Sequence, residues 1–360
     1  MISKFTNLID LNDMPAEWWD KVVSLGGKIA DEPEKYAHEC DGKIMATLFY
    51  EPSTRTQMSI QAAMLKLGGT IIGFDNPATS SVAKGENLKD TTKIVSNYAD
   101  IMVMRHPSEG SAKAAALTAD CPIINAGDGG HLHPTQTLTD LLTLSKEVGK
   151  LTDLTIGLCG DLKNGRTVHS LCKALSCYKG NKFVLVSTPE LRLPFYIKDI
   201  LTASGCEFEE MDSLDKAMKK LDVLYMTRIQ QERFSSPEEY ERQKDVYCLD
   251  KAKMKKAKPT LCVLHPLPRV DEIAIEVDDD PRALYFKQAK YGMYVRMALI
   301  LTILKNDFPT VLLKGKVHKG VSCTNKNCIT QKEKYLPKSF RGSGDTLECE
   351  YCDERVLKAH

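Results

Sequence analysis

Residues 44–74 read IMATLFYEPSTRTQMSIQAAMLKLGGTIIGF, and this stretch decides the fold. The apolar run Ile44–Tyr50 predicts a buried strand, which Glu51-Pro52 stops. After Ser53-Thr54-Arg55-Thr56, the periodicity of Met58–Leu67 predicts a helix. Gly68-Gly69 ends it, and Thr70–Phe74 predicts a second strand. A strand, a helix and a strand joined in this way form a parallel crossover unit. The loop inside it puts three hydroxyls and a guanidinium at a helix N-terminus, where free N–H groups and the helix dipole already favour an anion. Arg55 adds a planar fork of donors that matches phosphate oxygens. An ordinary N-cap needs one Ser or Thr. Ser-Thr-Arg-Thr together points instead to phosphate.

The rest of the chain extends this pattern. Its 360 residues suit two domains with a small third. A helix is expected over 15–30, where Asp13 can cap and Pro15 suits the first turn. Residues 75–87, DNPATSSVAKGEN, are expected to be a long mobile loop. Leu88–Tyr98 and 111–119 predict helices, Ile101–Met104 and Pro122–Asn125 strands, and a Gly-rich turn leads into a helix at 135–148. Past Gly149-Lys150 the pattern restarts. Strands are expected at Thr155–Cys159, Phe183–Val186, Val223–Thr227 and Leu261–Leu264, with helices at Val168–Ser176, Pro194–Ala203, Glu238–Lys244 and Lys251–Lys256. Gln288–Lys305 predicts a long amphipathic helix that packs back across the domains. The expected fold is α/β, with two doubly wound parallel-sheet domains and a small C-terminal β-rich domain that bears the last four cysteines. The domains are placed at 1–135, completed by helix 288–305, at 136–287, and at 311–360. The lysine run 251–258 and Asp278-Asp279-Asp280 are expected to be solvated surface.

The net charge of +1 gives no global field for nucleic acid or an anionic membrane. No apolar run approaches the ~18 residues of a membrane span. The N-terminal MISKFTNLIDLNDMP has acidic residues and no apolar signal core, so no secretion signal is expected. Of 12 cysteines, eight are scattered without pattern, which suits a reducing cytoplasm.

Polar clusters recur where predicted strands end: Ser53–Thr56, Arg105, His133 with Gln136, Arg166-Thr167, Arg228 with Gln230, and His265-Pro266-Leu267-Pro268. Open α/β sheets bind ligands at that edge. Four arginines placed there imply substrates carrying several negative charges. There is no G-x-S-x-G elbow, no patterned Cys/His pair in the main body and no Walker A lysine. Gly157-Leu-Cys-Gly160 lacks the third glycine of a dinucleotide fingerprint. What remains is a site that aligns and polarises substrates without a covalent intermediate.

FYEPSTRT with HPTQTLTD resembles the carbamoyltransferase family. HPLPR and the loop lysine of Ala83-Lys84-Gly85-Glu86 resemble its aspartate-specific branch. The resemblance spans nearly all of 1–305. It implies transfer of the carbamoyl group of carbamoyl phosphate to the amine of L-aspartate, an early step of de novo pyrimidine synthesis. It also implies ligands. Ser53, Thr54, Arg55 and Thr56 would hold the phosphate, and Arg105 would bridge phosphate and carbonyl oxygens. His133 would polarise the carbonyl or act as base, and Gln136 would hold the amide. The carbonyls of Pro266 and Leu267 would accept from that amide, with Pro268 shaping the turn. Arg166, Thr167, Arg228 and Gln230 would clamp aspartate, and Leu267 lines the same end. Lys84, with Ser80 or Ser81, would reach a neighbouring subunit's site in a homotrimer. Glu51 and Arg233 would orient the arginines as the site closes. The ornithine branch carries His-Cys-Leu-Pro where this chain has His265-Pro266-Leu267-Pro268, and a cationic substrate would be repelled by Arg166 and Arg228.

At the C-terminus, Cys323-x4-Cys328 and Cys349-x2-Cys352 are two close pairs, the spacing of a four-thiolate zinc site. Four sulfur ligands leave no open position, so this zinc would be structural. A basic zinc ribbon could bind nucleic acid. VSCTNKNCIT with LECEYC instead resembles the zinc domain of the aspartate-branch regulatory chain, here fused to the catalytic chain without its nucleotide-binding domain. That implies an assembly element, able to build something larger than a trimer, with no nucleic-acid or membrane partner.

Overall fold

The computed structural model describes residues 1–229, 236–243, 246–305, 308–318, 320–342 and 344–357. Gln230 and Arg233 lie outside them. The chain forms two compact units, Met1–Thr135 with Met293–His360, and Gln136–Gly292.

In the first unit β1 (Ile44–Phe49), β2 (Thr70–Phe74), β3 (Ile101–His106) and β4 (Ile123–Asp128) make a parallel sheet in the order β2-β1-β3-β4. β1 and β3 are buried along nearly their whole length, as expected for strands covered on both faces. β2 is the more exposed edge. The helices are α1 (Ala16–Asp31), α2 (Thr54–Lys66), α3 (Leu88–Ser96), α4 (Ser111–Ala116) and α5 (Pro134–Glu147). α5 carries the chain into the second unit. α2 starts at Thr54, four residues before its apolar periodicity does, because its first turn is made of the polar Thr54, Arg55 and Thr56. Asp13 does not cap α1. Pro15 is the N-cap, and the Asp13 carboxylate instead receives Lys314 Nζ at 2.9 Å. The 75–87 loop contains two 3-10 turns, Pro77–Thr79 and Ser81–Lys84, each capped by the side chain before it.

In the second unit five parallel strands run in the order β7-β6-β5-β8-β9: β5 (Thr155–Cys159), β6 (Lys182–Val186), β7 (Glu207–Met211), β8 (Val223–Met226) and β9 (Cys262–Leu264). α6 (Arg166–Leu175) follows β5. The edge strand β7 is absent from the sequence reading. Its residues, EFEEM, are charged and largely exposed, so no apolar run marks it. Two expected surface acids are engaged: Asp278 pairs with Arg269 and Asp280 with Arg282 at 2.7 Å. The helix Tyr285–Leu304 carries the chain back to the first unit. Its middle is not amphipathic, since every residue from Tyr294 to Leu301 is buried, whereas Phe286, Lys287, Ala289 and Lys290 expose one side of its first turns.

The C-terminal segment adds an antiparallel sheet, β10 (Lys316–Val317), β11 (Ser339–Arg341), β12 (Thr346–Cys349) and β13 (Arg355–Leu357). It shares one apolar core with the parallel sheet of its unit, in which Ala112, Ala115, Met102 and Leu88 pack with Ile329, Phe340, Leu347 and Tyr351. All six residues of α4, SAKAAA, are buried, their small side chains allowing the close approach. At Gly110 (φ +81°) a Cβ would lie 2.5 Å from the Tyr351 backbone, so only glycine fits. No helix among the described residues is long and apolar enough to cross a membrane.

Candidate active site

The strand order of the first unit reverses between β1 and β3, the crevice where open sheets bind ligands. The pairing of Phe49 with Arg105 puts the Ser53–Thr56 turn and Arg105 at that point. Ser53 is the N-cap of α2, and its side chain makes no capping hydrogen bond, so the N–H groups of this helix start are of the kind that can hold an anion. Glu51 Oε1 receives Arg105 Nη2 at 2.7 Å, and Nη1 reaches Ala126 O at 3.3 Å. Arg105 Nε is buried without a hydrogen-bond partner among the described residues. Burial, then the Arg105 charge, pushes the Arg55 pKa below its ordinary value. Burial does the same at Arg105, against the pull of Glu51. Two partly desolvated guanidiniums that repel one another are relieved by an anion between them.

His133 follows β4 and is buried. Its Nε2 stands 3.3 Å from Thr56 Oγ1, and its Nδ1 lies 3.4 Å from Thr135 Oγ1. Thr56 and His133 are thus in contact, and Arg55, beside Thr56, stands close enough to Arg105 to feel its charge. Lys84 ends its 3-10 turn exposed, and the Ser80 hydroxyl is used locally, donating to Pro77 O and accepting from Val82 N. Nothing in the described structure brings either to the Ser53–Thr56 turn of the same chain.

In the second unit the strand order reverses between β5 and β8. Arg166 and Thr167 open α6 after β5, and Arg228 follows β8, so both half-buried arginines sit at the ends of neighbouring strands. Past β9, His265 to Pro268 form a turn in which Leu267 has φ +54° and its peptide to Pro268 is cis. His265 Nδ1 accepts from Leu267 N at 2.7 Å, and Nε2 meets Glu272 Oε1 at 2.7 Å. Burial works to raise the Glu272 pKa, but the hydrogen bond and charge of His265 hold it below the usual carboxylate value. Gln288 Oε1 accepts from His265 N, and its Nε2 donates to Asp140 Oδ1 at 2.6 Å. The same oxygen receives Gln136 Nε2 at 2.8 Å. Asp140 thus ties Gln136 to the 265–268 turn. Sequence reasoning missed Asp140, Gln288 and Glu272. Only the i, i+4 spacing of Gln136 and Asp140 could have signalled part of this network.

The four cysteines of the C-terminal module are buried, with all Sγ atoms within 4.8 Å of one another. Cys323 and Cys352 are 3.5 Å apart, and Cys328 and Cys349 3.9 Å. These spacings are far too long for disulfides. A sulfur tetrahedron about a metal with ~2.3 Å bonds has edges of ~3.8 Å, so the residues fit a tetrahedral metal. A second histidine joins this module to the turn before His133. His131 Nδ1 meets Asp128 Oδ2 at 3.1 Å, and Nε2 meets Asp353 Oδ2 at 3.0 Å. Burial opposes protonation of His131, but the two carboxylates raise its pKa well above the ordinary value.

Two parallel α/β units, each with arginines at the point where its strand order reverses, form the class of fold that binds anionic ligands at its strand ends. Residues 6–146 match the family model for the aspartate/ornithine carbamoyltransferase carbamoyl-P binding domain, and residues 152–303 that for the Asp/Orn binding domain. Residues 315–359 match the metal binding domain of the aspartate carbamoyltransferase regulatory chain. The aspartate carbamoyltransferase catalytic subunit of Clostridium perfringens is 60% identical over 302 residues, 84% of this chain and 98% of the relative. The catalytic subunit of M. jannaschii aspartate transcarbamoylase superposes with a TM-score of 0.79 at 46% identity, over 84% of this chain and 98% of that one. The Trypanosoma cruzi aspartate transcarbamoylase in complex with carbamoyl phosphate and aspartate gives 0.77 at 37% identity, over 83% and 95%. The chain belongs to the aspartate/ornithine carbamoyltransferase family, its catalytic part to the aspartate branch and its C-terminal module to the regulatory-chain metal-binding domains. Its reaction is the transfer of the carbamoyl group of carbamoyl phosphate to L-aspartate, giving N-carbamoyl-L-aspartate and phosphate.

Proposed function

We propose that this transfer is direct, with no covalent enzyme intermediate, and that the chain performs it by alignment and charge stabilisation. The observation that carries the reading is the grouping of Thr56, His133 and the Glu51-anchored Arg105 at the β1/β3 switch point. Ser53, Thr54, Arg55 and Thr56 hold the phosphate on the N-terminus of α2, with Arg105 bridging to the carbonyl oxygen. Gln136 and the carbonyls of Pro266 and Leu267 hold the carbamoyl NH2. Arg166 and Arg228, with Thr167, take the two carboxylates of aspartate. The deprotonated amine attacks the carbonyl carbon. Thr56, Arg105 and His133 carry the developing oxyanion, each such donor being worth ~2.7–4 kcal/mol. The C–O bond to phosphate then breaks, phosphate leaves into the helix N-terminus, and the amine proton passes to a leaving-phosphate oxygen. In this reading residues 1–135 with helix 288–305 bind carbamoyl phosphate, 136–287 bind aspartate, and 311–360 form the metal module.

The active species is a cytoplasmic homotrimer in which Ser80 and Lys84 serve a neighbouring chain. Their exposed turn, and the exposed Met58 and Ile72 near the β2 edge, support that assembly. The metal is zinc held by Cys323, Cys328, Cys349 and Cys352. It supplies a structural cross-link, since four thiolates leave no open coordination position. The reading is tested by replacing Arg228 with alanine. Aspartate affinity and turnover should fall together while carbamoyl phosphate still binds, and unchanged aspartate kinetics would overturn the assignment of the acceptor site.

A further inference from the structure

We propose that the cysteine module positions the active-site histidine, through a strut formed by Asp353 and His131. The inference rests on the reading that His133 acts on the carbonyl oxygen. His133 is delivered by the turn after β4, and that turn hangs on Asp128. Asp128 Oδ1 accepts from Leu132 N at 2.9 Å and Oδ2 from Gly110 N at 2.8 Å, and Asp128 N donates to Leu132 O at 3.2 Å. His131 closes the turn by meeting Asp128 Oδ2, while its other ring nitrogen meets Asp353 Oδ2. Asp353 is the residue after the ligand Cys352, and its remaining oxygen is taken by Arg341 Nη2 at 2.6 Å. One imidazole thus spans from the catalytic turn to the cysteine cluster with both nitrogens engaged.

The module is itself fixed on α3, α4 and the segment before α4. Lys113 Nζ donates to Glu350 O at 2.7 Å, Ile329 N to Glu109 O at 2.9 Å, Asn325 Nδ2 to Glu109 Oε2 at 2.6 Å, and Leu88 N to Glu333 Oε1 at 3.1 Å. Asp353 is therefore an anchored end, and His131 ties to it the turn that Asp128 closes. A side chain aimed at a transition-state oxygen depends steeply on placement, a shift of about 1 Å costing up to about a hundredfold. Asp353 and His131 touch neither substrate. They are positioning residues, acting through His133.

The test uses the full-length metal-loaded chain. Asp353→Asn keeps the size of the side chain and suits its left-handed backbone (φ +60°), and His131→Ala removes the strut from the other end. Each should lower kcat about tenfold or more while the KM for aspartate changes less than about twofold. Metal content should stay at one per chain. In a His133→Ala background, adding Asp353→Asn should change kcat no further, since the strut then has nothing to position. Lys314→Ala, which breaks only the exposed pair with Asp13, should leave kcat unchanged. If His133→Ala lowers kcat but Asp353→Asn and His131→Ala stay within twofold of wild type with metal bound, the strut is wrong. It is equally wrong if Asp353→Asn lowers kcat as much with His133 removed as with it present. If His133→Ala itself keeps full kcat, the underlying reading of the site fails instead.

Discussion

His106 offers a quantitative check on how tightly the end of β3 is sealed, one residue past Arg105. Its ring is buried 4.6 Å from the Tyr50 ring, and Nδ1 accepts from Ser108 N at 2.9 Å. Burial, then the charge of Lys332 from the cysteine module, pushes its pKa down to about 4 from 6.5. The folded state therefore holds this imidazole neutral where the unfolded chain would protonate it. Its contribution to stability is fully present above about pH 6.5 and is lost as the pH falls towards 4. At about 1.4 kcal/mol per unit, the whole shift amounts to roughly 3 kcal/mol, of which about 2 is lost between about pH 7.5 and 5. For a folding unit of about 200 residues, this lowers the melting temperature by about 4–8 °C. Replacing His106 with asparagine keeps an acceptor for Ser108 N and removes the titration. Thermal unfolding of both chains at the two pH values should show wild type losing those additional degrees. Equal losses in the two chains would refute the claim that His106 is buried neutral.

His133→Ala should lower kcat about 10²–10³-fold with little change in carbamoyl phosphate affinity by calorimetry, since the interaction strengthens only in the transition state. Mixing inactive Arg55→Ala chains with inactive Lys84→Ala chains, then unfolding and refolding them together, should restore part of the activity; no recovery would argue against sites shared between neighbours. Gly110→Ala should destabilise the first unit by more than about 1 kcal/mol in urea unfolding, because its Cβ would meet the Tyr351 backbone at 2.5 Å in a left-handed conformation. Displacing the metal with a thiol reagent should release one zinc per chain and lower the melting temperature, since the exposed module would open the core it shares with α4.

The parallel crossover at 44–74 was legible because a fully buried strand leaves a continuous apolar run and Gly68-Gly69 punctuates the end of the helix before the next strand. The same logic found the strand ends that carry Arg105, His133, Arg166 and Arg228. Glu207–Met211 was not legible, since an exposed edge strand with three acids in five residues has no apolar signature. The burial of SAKAAA could not be read from its own residues. Small side chains suit any helix, and what buries them is the tail, more than 200 residues further on. Asp140, Gln288 and Glu272 stayed hidden for a related reason. They act on Gln136 and His265 through contacts between distant segments, which leave no local pattern. His131 stood in view beside His133, but its partner Asp353 lies 222 positions away.

Phosphate release from carbamoyl phosphate by the purified chain, measured with L-aspartate or L-ornithine as acceptor, tests the central claim most directly. If Arg166 and Arg228 at the β5/β8 switch point clamp two carboxylates as proposed, release should be rapid with aspartate and remain at the acceptor-free background with ornithine. Release that proceeds equally fast without aspartate, or that ornithine supports as well, would contradict it.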